Sequence, residues 1–333
     1  IVINEVVKQL QVDAACVLLI KPGAARLEYV VGQGFLTRNI ESTSLRIGEG
    51  EAGRAVIERR IVEVPQIVNT EGSLKRAQLF VDEGFVSYYA IPLITKGEVK
   101  GVLEIFHRSR LNPDREWLNF LETLGGQTAI AIENSVLFQD LQRSNFELAI
   151  AYDATIEGWS RALDLRDRET EGHTRRVTDL TLRLARKMGL SEARLILIKR
   201  GALLHDIGKM GIPDYILHKP EELTDEELQI MRTHPQLAYD MLEPIAYLRD
   251  ALNIPYCHHE KWDGSGYPRG LAGTQIPLEA RLFAIVDVWD AITTDRPYRK
   301  GWPREEALNY IREQSGKYFD PQLVEIFLQE MEE

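Results

Sequence analysis

Two histidine motifs constrain this 333-residue chain more than any other feature of its sequence. His205-Asp206 opens the run His-Asp-Ile-Gly-Lys, and His258-His259 opens a later run, residues 258–268, that ends in Gly-Tyr-Pro. The chain has 7 histidines, and five of them lie in contexts that suit metal ligation. Imidazole and carboxylate ligands without cysteine suit borderline to hard divalent ions that keep positions open for water. The motifs therefore indicate hydrolysis at a metal cluster whose ligands converge from distant segments.

Composition is that of an ordinary globular protein, with 44% hydrophobic and 27% charged residues, and the length predicts two domains. The apolar stretches are shorter than the ~18 residues of a membrane span, so we expect no membrane segment here, while a segment before Ile1 stays open. The net charge of −11 argues against a nucleic-acid polymer as partner. Cys16 and Cys257 are far apart, which favours a reducing, cytoplasmic location without a disulfide.

Residues 1–135 have the pattern of an α/β (α+β) domain. Short apolar runs at 17–20, 27–31, 87–94 and 100–106 predict strands, separated by turns at Pro22-Gly23 and 95–97. Residues 49–56 predict a glycine-marked turn that leads into a helix. We expect a central antiparallel sheet with helices on one face.

Residues 115–165 predict a long linker helix that overlaps both domains. A seven-residue repeat is typical of helix pairing and predicts a parallel homodimer through this helix. The alternative is a helix that packs on its own two domains, and Gly125-Gly126 weakens the case for one unbroken rod. The two rows of the repeat are Leu124, Ala131, Phe138, Asn145, Tyr152, Trp159 and Leu141, Leu148, Thr155, Ala162.

Residues 160–333 predict an all-α helical bundle, with helix starts at Ser191 and at a Thr224–Glu227 capping box. His205 and Asp206 would splay by ~100° inside a helix, so both serve one site only if the helix ends there, and Gly208 is a candidate terminator. A buried histidine bonded to its neighbouring aspartate is the competing interpretation.

Further candidates for the cluster lie elsewhere in this half. Glu169 and His173 are spaced to share a helix face if that turn is helical. His234 lies at a predicted helix end, and Asp287 ends an apolar run, where an unpaired charge would be costly.

Residues 160–333 strongly resemble the HD-GYP family of phosphodiesterases. The resemblance rests on motifs in the family's order: residues 205–209, Ile212-Pro213-Asp214, residues 258–268, Ile276-Pro277, residues 287–291 and residues 295–299. It implies an HD-domain bundle whose metal ligands are His173, His205, Asp206, His234, His258, His259 and Asp287, with Glu169 as a variable ligand. A carboxylate at Glu169 favours three divalent ions over two, with iron first and manganese next; its alternative role is a surface carboxylate near Arg166.

The resemblance implies hydrolysis of cyclic di-GMP to pGpG and onward to GMP by water activated between metal ions. Asp206 would bridge the ions and orient the water, and Lys209 would bind the phosphate, unless it is an ordinary solvated lysine. Tyr267, held by Gly264, Gly266 and Pro268, could stack on a guanine or pin its own domain. The resemblance further suggests that Arg296 and Arg299 clamp the second phosphate, although Arg296 could instead pair with Asp290 or Asp295. Asp290 is expected to support the site or to pack its helix.

Residues 1–135 resemble a GAF domain, on the strand order, residues 47–54 and the strand pair around Lys96-Gly97. The signature of cyclic-nucleotide-binding GAF domains is not evident, so a regulatory or dimerising module is expected. Two other functions stay open for the whole chain: a signalling scaffold without turnover, and a nucleotidase that acts on mononucleotides.

Overall fold

The computed structural model describes residues 2–21, 23–67, 76–167, 172–295 and 300–332. The chain divides into two compact units, residues 1–145 and 146–333. Among the described residues, no helix combines the length and apolar character needed to cross a bilayer.

The first unit is built on one antiparallel sheet, as the sequence predicts. Its strand order is β3-β2-β1-β6-β5-β4, and every neighbouring pair is antiparallel. The tight turn between β5 and β6 places Lys96 and Gly97 at positive φ, which suits the twist of a hairpin. The strands are β1 Ala14–Ile20, β2 Arg26–Gln33, β3 Ser44–Arg46, β4 Val62–Val64, β5 Ser87–Thr95 and β6 Glu98–His107.

Helices cover both faces of this sheet, so the expectation of helices on one face is wrong. Almost every residue of β1 and β5 is buried, and such runs need a partner on each side. α1 (Val2–Leu10) and the start of α4 (Arg115–Asp167) pack on one face. α2 (Gly50–Glu58) and α3 (Ala77–Asp82) pack on the other.

The predicted long helix is confirmed as α4. It runs unbroken through Gly125 and Gly126 and ends at Asp167, and the boundary between the two units falls within it.

The second unit is helical, as predicted. α5, α6, α11, α12 and α13 share its main hydrophobic core. The predicted starts at Ser191 and at the Thr224–Glu227 capping box are confirmed as the N-termini of α6 and α8. The helices are α5 His173–Lys187, α6 Glu192–Leu203, α7 Asp214–Leu217, α8 Asp225–Met231, α9 His234–Leu242, α10 Asn253–Cys257, α11 Leu278–Thr293, α12 Arg304–Glu313 and α13 Pro321–Glu332.

Candidate metal centre

The candidate ligands that the structure describes lie at helix ends, with one exception. His173 is the first residue of α5 and His234 the first of α9, whereas His258 and His259 directly follow α10. Asp287 is the exception, because it lies inside α11. At a helix end, neighbouring side chains are not held at the ~100° angle that separates consecutive positions within a helix.

The pair His205-Asp206 follows the end of α6 at Leu203, so the helix does end before it. Gly208 is not the terminator, which corrects that prediction. It lies in a short 3-10 helix, Ile207–Gly211, where a Cβ atom would fall 1.8 Å from the carbonyl oxygen of His234. Glycine is therefore required by the close approach of α9.

Seven of the eight predicted ligands gather into two groups. Each group can place one ligand atom per residue within 4.8 Å of the others. The first group is Asp206, His234, His258 and His259, and the second is His173, His205 and Asp287. The eighth, Glu169, lies outside the described residues.

Asp206 joins the two groups through its two carboxylate oxygens. Oδ1 lies 3.2 Å from Nε2 of His234 and 3.7 Å from Nε2 of His258. Oδ2 lies 3.1 Å from Nε2 of His205. A carboxylate with one oxygen on each group has the geometry of a bridging ligand.

Hydrogen bonds fix the orientation of four of the imidazoles. In each, Nδ1 faces an oxygen that can only accept, so Nδ1 carries the proton and the lone pair of Nε2 points into the site. This arrangement is typical of metal-binding histidines. The contacts are His205 to the carbonyl oxygen of Ala202 at 2.8 Å, His234 to that of Met231 at 2.9 Å, His258 to that of Ile254 at 3.0 Å, and His173 to Oδ2 of Asp290 at 2.7 Å.

The Nε2 atoms that face into the site then carry no proton and cannot donate a hydrogen bond. Nε2 of His234 and Nε2 of His258 are 3.4 Å apart, and both are acceptors in this tautomer. Nε2 of His205 is buried and makes no hydrogen bond with the described residues, although Oδ2 of Asp206 lies nearby. Opposed lone pairs in a buried site call for a cation, and ligands of one ion at ~2.1 Å are themselves ~3 Å apart. The donor set therefore fits divalent metal ions.

The protonation states of four ligands, His258, His259, Asp206 and Asp287, favour the same conclusion, whereas at His205 burial would lower the pKa but the Asp206 carboxylate outweighs it and raises that pKa. Burial lowers the pKa of His258 and, more strongly, that of His259, so both imidazoles are held neutral, the form that binds metal. Burial would raise the pKa of Asp206, but Lys209 and His205 outweigh it and hold that pKa well below its usual range. Burial likewise opposes ionisation of Asp287, but its contact with His173 and the other nearby imidazoles outweigh burial and lower its pKa.

Comparison with known proteins places both units in families. Residues 158–323 match the HD domain and residues 1–132 match the GAF domain. With the His-Asp and Gly-Tyr-Pro motifs around the gathered ligands, this decides the family. The chain is a GAF–HD protein of the HD-GYP type.

Named relatives match between half and about three fifths of this chain. The cyclic di-GMP phosphodiesterase response regulator RpfG of Xanthomonas campestris is 38% identical over 61% of this chain and 53% of that protein. A cyclic di-GMP phosphodiesterase of Thermotoga maritima is 46% identical over 50% of this chain and 45% of that protein. A 3′3′-cGAMP-specific phosphodiesterase 2 of Vibrio cholerae is 38% identical over 61% of this chain and 38% of that protein. The match thus spans about half or less of the length of each relative.

Lys209 of the HD domain is largely buried and contacts two carboxylates among the described residues. Its ammonium nitrogen lies 2.7 Å from Oδ2 of Asp206 and 2.7 Å from Oδ2 of Asp167. It is therefore not a solvated lysine. The contact with Asp167 was missed in the sequence, because Asp167 is outside the His-Asp motif and nothing local connects it with Lys209.

The Gly-Tyr-Pro loop of the HD domain lies against the first ligand group. The ring of Tyr267 stacks on His259 with centroids 4.8 Å apart, and the Tyr267–Pro268 peptide bond is cis. A Cβ atom at Gly266 would fall 2.4 Å from the backbone nitrogen of Lys261, so the loop folds back tightly on its own start. Tyr267 thus supports a candidate ligand, and its contact with a guanine stays a prediction, as do those of Gly264, Gly266 and Pro268.

Glu260 anchors that loop and was also missed in the sequence, although it lies inside the motif. Its buried carboxylate accepts hydrogen bonds from the backbone amides of Arg269 at 2.8 Å and Leu271 at 2.9 Å.

Asp290 supports the second group, one of the two roles expected for it. It contacts Nδ1 of His173 and accepts a two-pronged bond from Arg176, at 2.6 Å from Nε and 2.8 Å from Nη2. Its spacing of three residues from Asp287 on α11 was the available signal. The predicted phosphate contacts Arg296 and Arg299 lie outside the described residues.

Proposed function

We propose that this chain is a metal-dependent phosphodiesterase that hydrolyses cyclic di-GMP to pGpG and onward to GMP, under control of its GAF domain. The observation that carries the proposal is the placement of Asp206. Its two carboxylate oxygens face two separate ligand groups, and Lys209 pairs with one of these oxygens, Oδ2. The names of the relatives from Xanthomonas campestris and Thermotoga maritima support the substrate.

The proposed metal ligands are those of the two groups, with Glu169 as an eighth. An HD domain implies divalent ions, and two octahedral ions need ~12 ligand positions, three ~18. Shared carboxylates, waters and substrate oxygens would complete either number. We favour three ions, with iron first and manganese next, because imidazole and carboxylate oxygen together suit these metals. When bound, such ions supply an activated water and offset charge at phosphorus.

The remaining roles, binding the substrate and orienting the ligands, belong to side chains of this chain. Lys209 is a compact positive charge that can hold a phosphate oxygen, while Asp206 keeps that ammonium beside the ligand groups. His259 is held in place by the face of Tyr267. Tyr267, Arg296 and Arg299 are the proposed contacts of the base and the second phosphate.

The substrate test compares purified, metal-loaded protein on cyclic di-GMP, 3′3′-cGAMP and a mononucleotide, with product chromatography and elemental analysis of the same sample. Cyclic di-GMP is expected to be cleaved fastest. Faster cleavage of 3′3′-cGAMP would instead indicate the substrate in the name of the Vibrio cholerae relative. Cleavage of the mononucleotide alone, or none with full metal, would contradict the proposal. His258→Ala is expected to lose metal and activity, whereas His218→Ala, outside both ligand groups, should keep both.

A ferrous centre adds a redox test. Activity of anaerobically purified protein should fall after oxidation and return with reductant. Equal rates before and after oxidation would exclude iron as the working metal.

We further propose that α4 pairs with α4 of a second copy. Leu124 packs on the core of the first unit, but from Phe138 onward the large apolar side chains of the repeat are exposed, from 41% at Trp159 to 60% at Phe138. Asn145 occupies a position that typically specifies a dimer. Leu148→Glu is expected to give a monomer by light scattering. Ile150→Glu, on the other side of the helix and also exposed, should leave a dimer. If both variants match the unmodified protein, this interface is wrong.

We also propose the domain bounds 1–135 and 160–333, with the linker helix at 115–165. A cytoplasmic location is a further proposal. Proteolysis between the domains, followed by mass spectrometry of the fragments, would check the bounds.

A further inference from the structure

The last turn of α4 holds Lys209 from two sides. Asp167, the final residue of the helix, contacts the Lys209 ammonium group at 2.7 Å. Arg166 donates to the carbonyl oxygen of Lys209 at 3.0 Å and to that of Ile212 at 2.8 Å. Adjacent residues thus fix both the side chain and the backbone of the same lysine.

Charge explains why a carboxylate is needed at this place. A lysine beside divalent ions is repelled by them, and the Asp206 carboxylate would be shared with those ions. Asp167 is itself largely buried and supplies a second negative charge that keeps the ammonium group in position. An ammonium group has three protons in a fixed arrangement, so its contact with Asp167 restricts the directions in which these protons can point.

We propose that Asp167 is a positioning residue that holds Lys209 in the orientation from which it meets the reacting phosphate. The proposal rests on the proposed phosphodiesterase function. Asp167 also competes with phosphate for the ammonium group, so removing its charge frees Lys209 to bind phosphate in orientations that do not react.

The main test is a double-mutant cycle on manganese-loaded protein. Asp167→Asn is expected to lower kcat about tenfold, with KM unchanged or lower and metal content unchanged. In a Lys209→Ala background the same change should have no further effect on kcat, because its effect acts through the lysine. An equal loss in both backgrounds would overturn the proposal.

A matched control lies on the same helix. Glu157 pairs with Lys199 at 3.0 Å, on the exposed part of α4, and Glu157→Gln should leave kcat unchanged.

A second readout does not need turnover. Calorimetry with inorganic phosphate should show several-fold tighter binding to Asp167→Asn when Lys209 is present, and no change when it is alanine. If the unmodified protein cleaves no nucleotide, the proposed function fails while this measurement still tests the positioning. The same change in phosphate affinity in both backgrounds, or none in either, would refute it.

Discussion

Gly208 gives the sharpest test of how the His-Asp turn builds the metal centre. In Gly208→Ala, the new Cβ atom would lie 1.8 Å from the carbonyl oxygen of His234 and 2.6 Å from the backbone nitrogen of Ala238. Both neighbours are backbone atoms of α9, so no side chain can rotate away. Ordinary contact begins at 3.4 Å, and the gap must therefore open by about 1.6 Å (3.4 minus 1.8).

A shift of that size separates ligands that metal binding needs within ~0.2 Å of their places. His234 opens α9, and its Nε2 is only 3.2 Å from Asp206. Overpacking of this kind costs about 1–3 kcal/mol. For a unit of this size, each kcal/mol lowers Tm by ~2–4 °C. We also expect metal affinity to fall at least about tenfold.

The assay is elemental analysis after dialysis at graded free manganese, with calorimetric unfolding of the same samples. Gly158→Ala is the matched control, because a Cβ atom there meets nothing within 4 Å and the residue lies inside α4. This variant should be more stable by about 0.5–1 kcal/mol, with full metal content. Full metal content and unchanged Tm in Gly208→Ala would refute the argument.

The remaining predictions concern single buried groups. Asp290→Asn should weaken metal binding about 10–100-fold in a metal titration, because the carboxylate that orients His173 is lost. An unchanged metal affinity would show that this contact does not support metal binding. Glu104→Gln breaks the buried pair with the guanidinium of Arg76 in the GAF domain and should cost about 3–5 kcal/mol in urea unfolding, whereas the exposed Glu98→Gln should leave stability almost unchanged; equal effects would contradict this. Burial of Glu83 would raise its pKa, but the hydrogen bonds it accepts from two backbone amides and a hydroxyl outweigh burial and lower it. The unfolded chain therefore binds this proton first, so the stability that Glu83 adds is present above the unfolded pKa of ~4.3 and lost as pH falls through the folded pKa; unfolding at several pH values should show a flatter profile for Glu83→Gln. Burial raises the pKa of the Cys257 thiol to about 11, so at pH ~8 about one molecule in 1,000 carries the thiolate, and thiol reagents should label Cys257 rapidly only in denaturant.

The sequence by itself determined the donor types and the elements that carry them. His205-Asp206, His258-His259 and the Gly-Tyr-Pro run are local patterns, and so are the strands and the Thr224 capping box, because each depends on residues a few positions apart. Local order was thus readable before any contact was known.

Tertiary packing decided the rest. The placement of α9 made glycine necessary at residue 208. Because both faces of β1 and β5 are apolar, helices pack on both sides of the sheet. Asp167 meets Lys209 across 42 residues of chain, and Asp290 meets His173 across 117. Such pairs carry no local signal, because apolar packing of the helices brings the two groups together. Their pairing then offsets the cost of burying each charge.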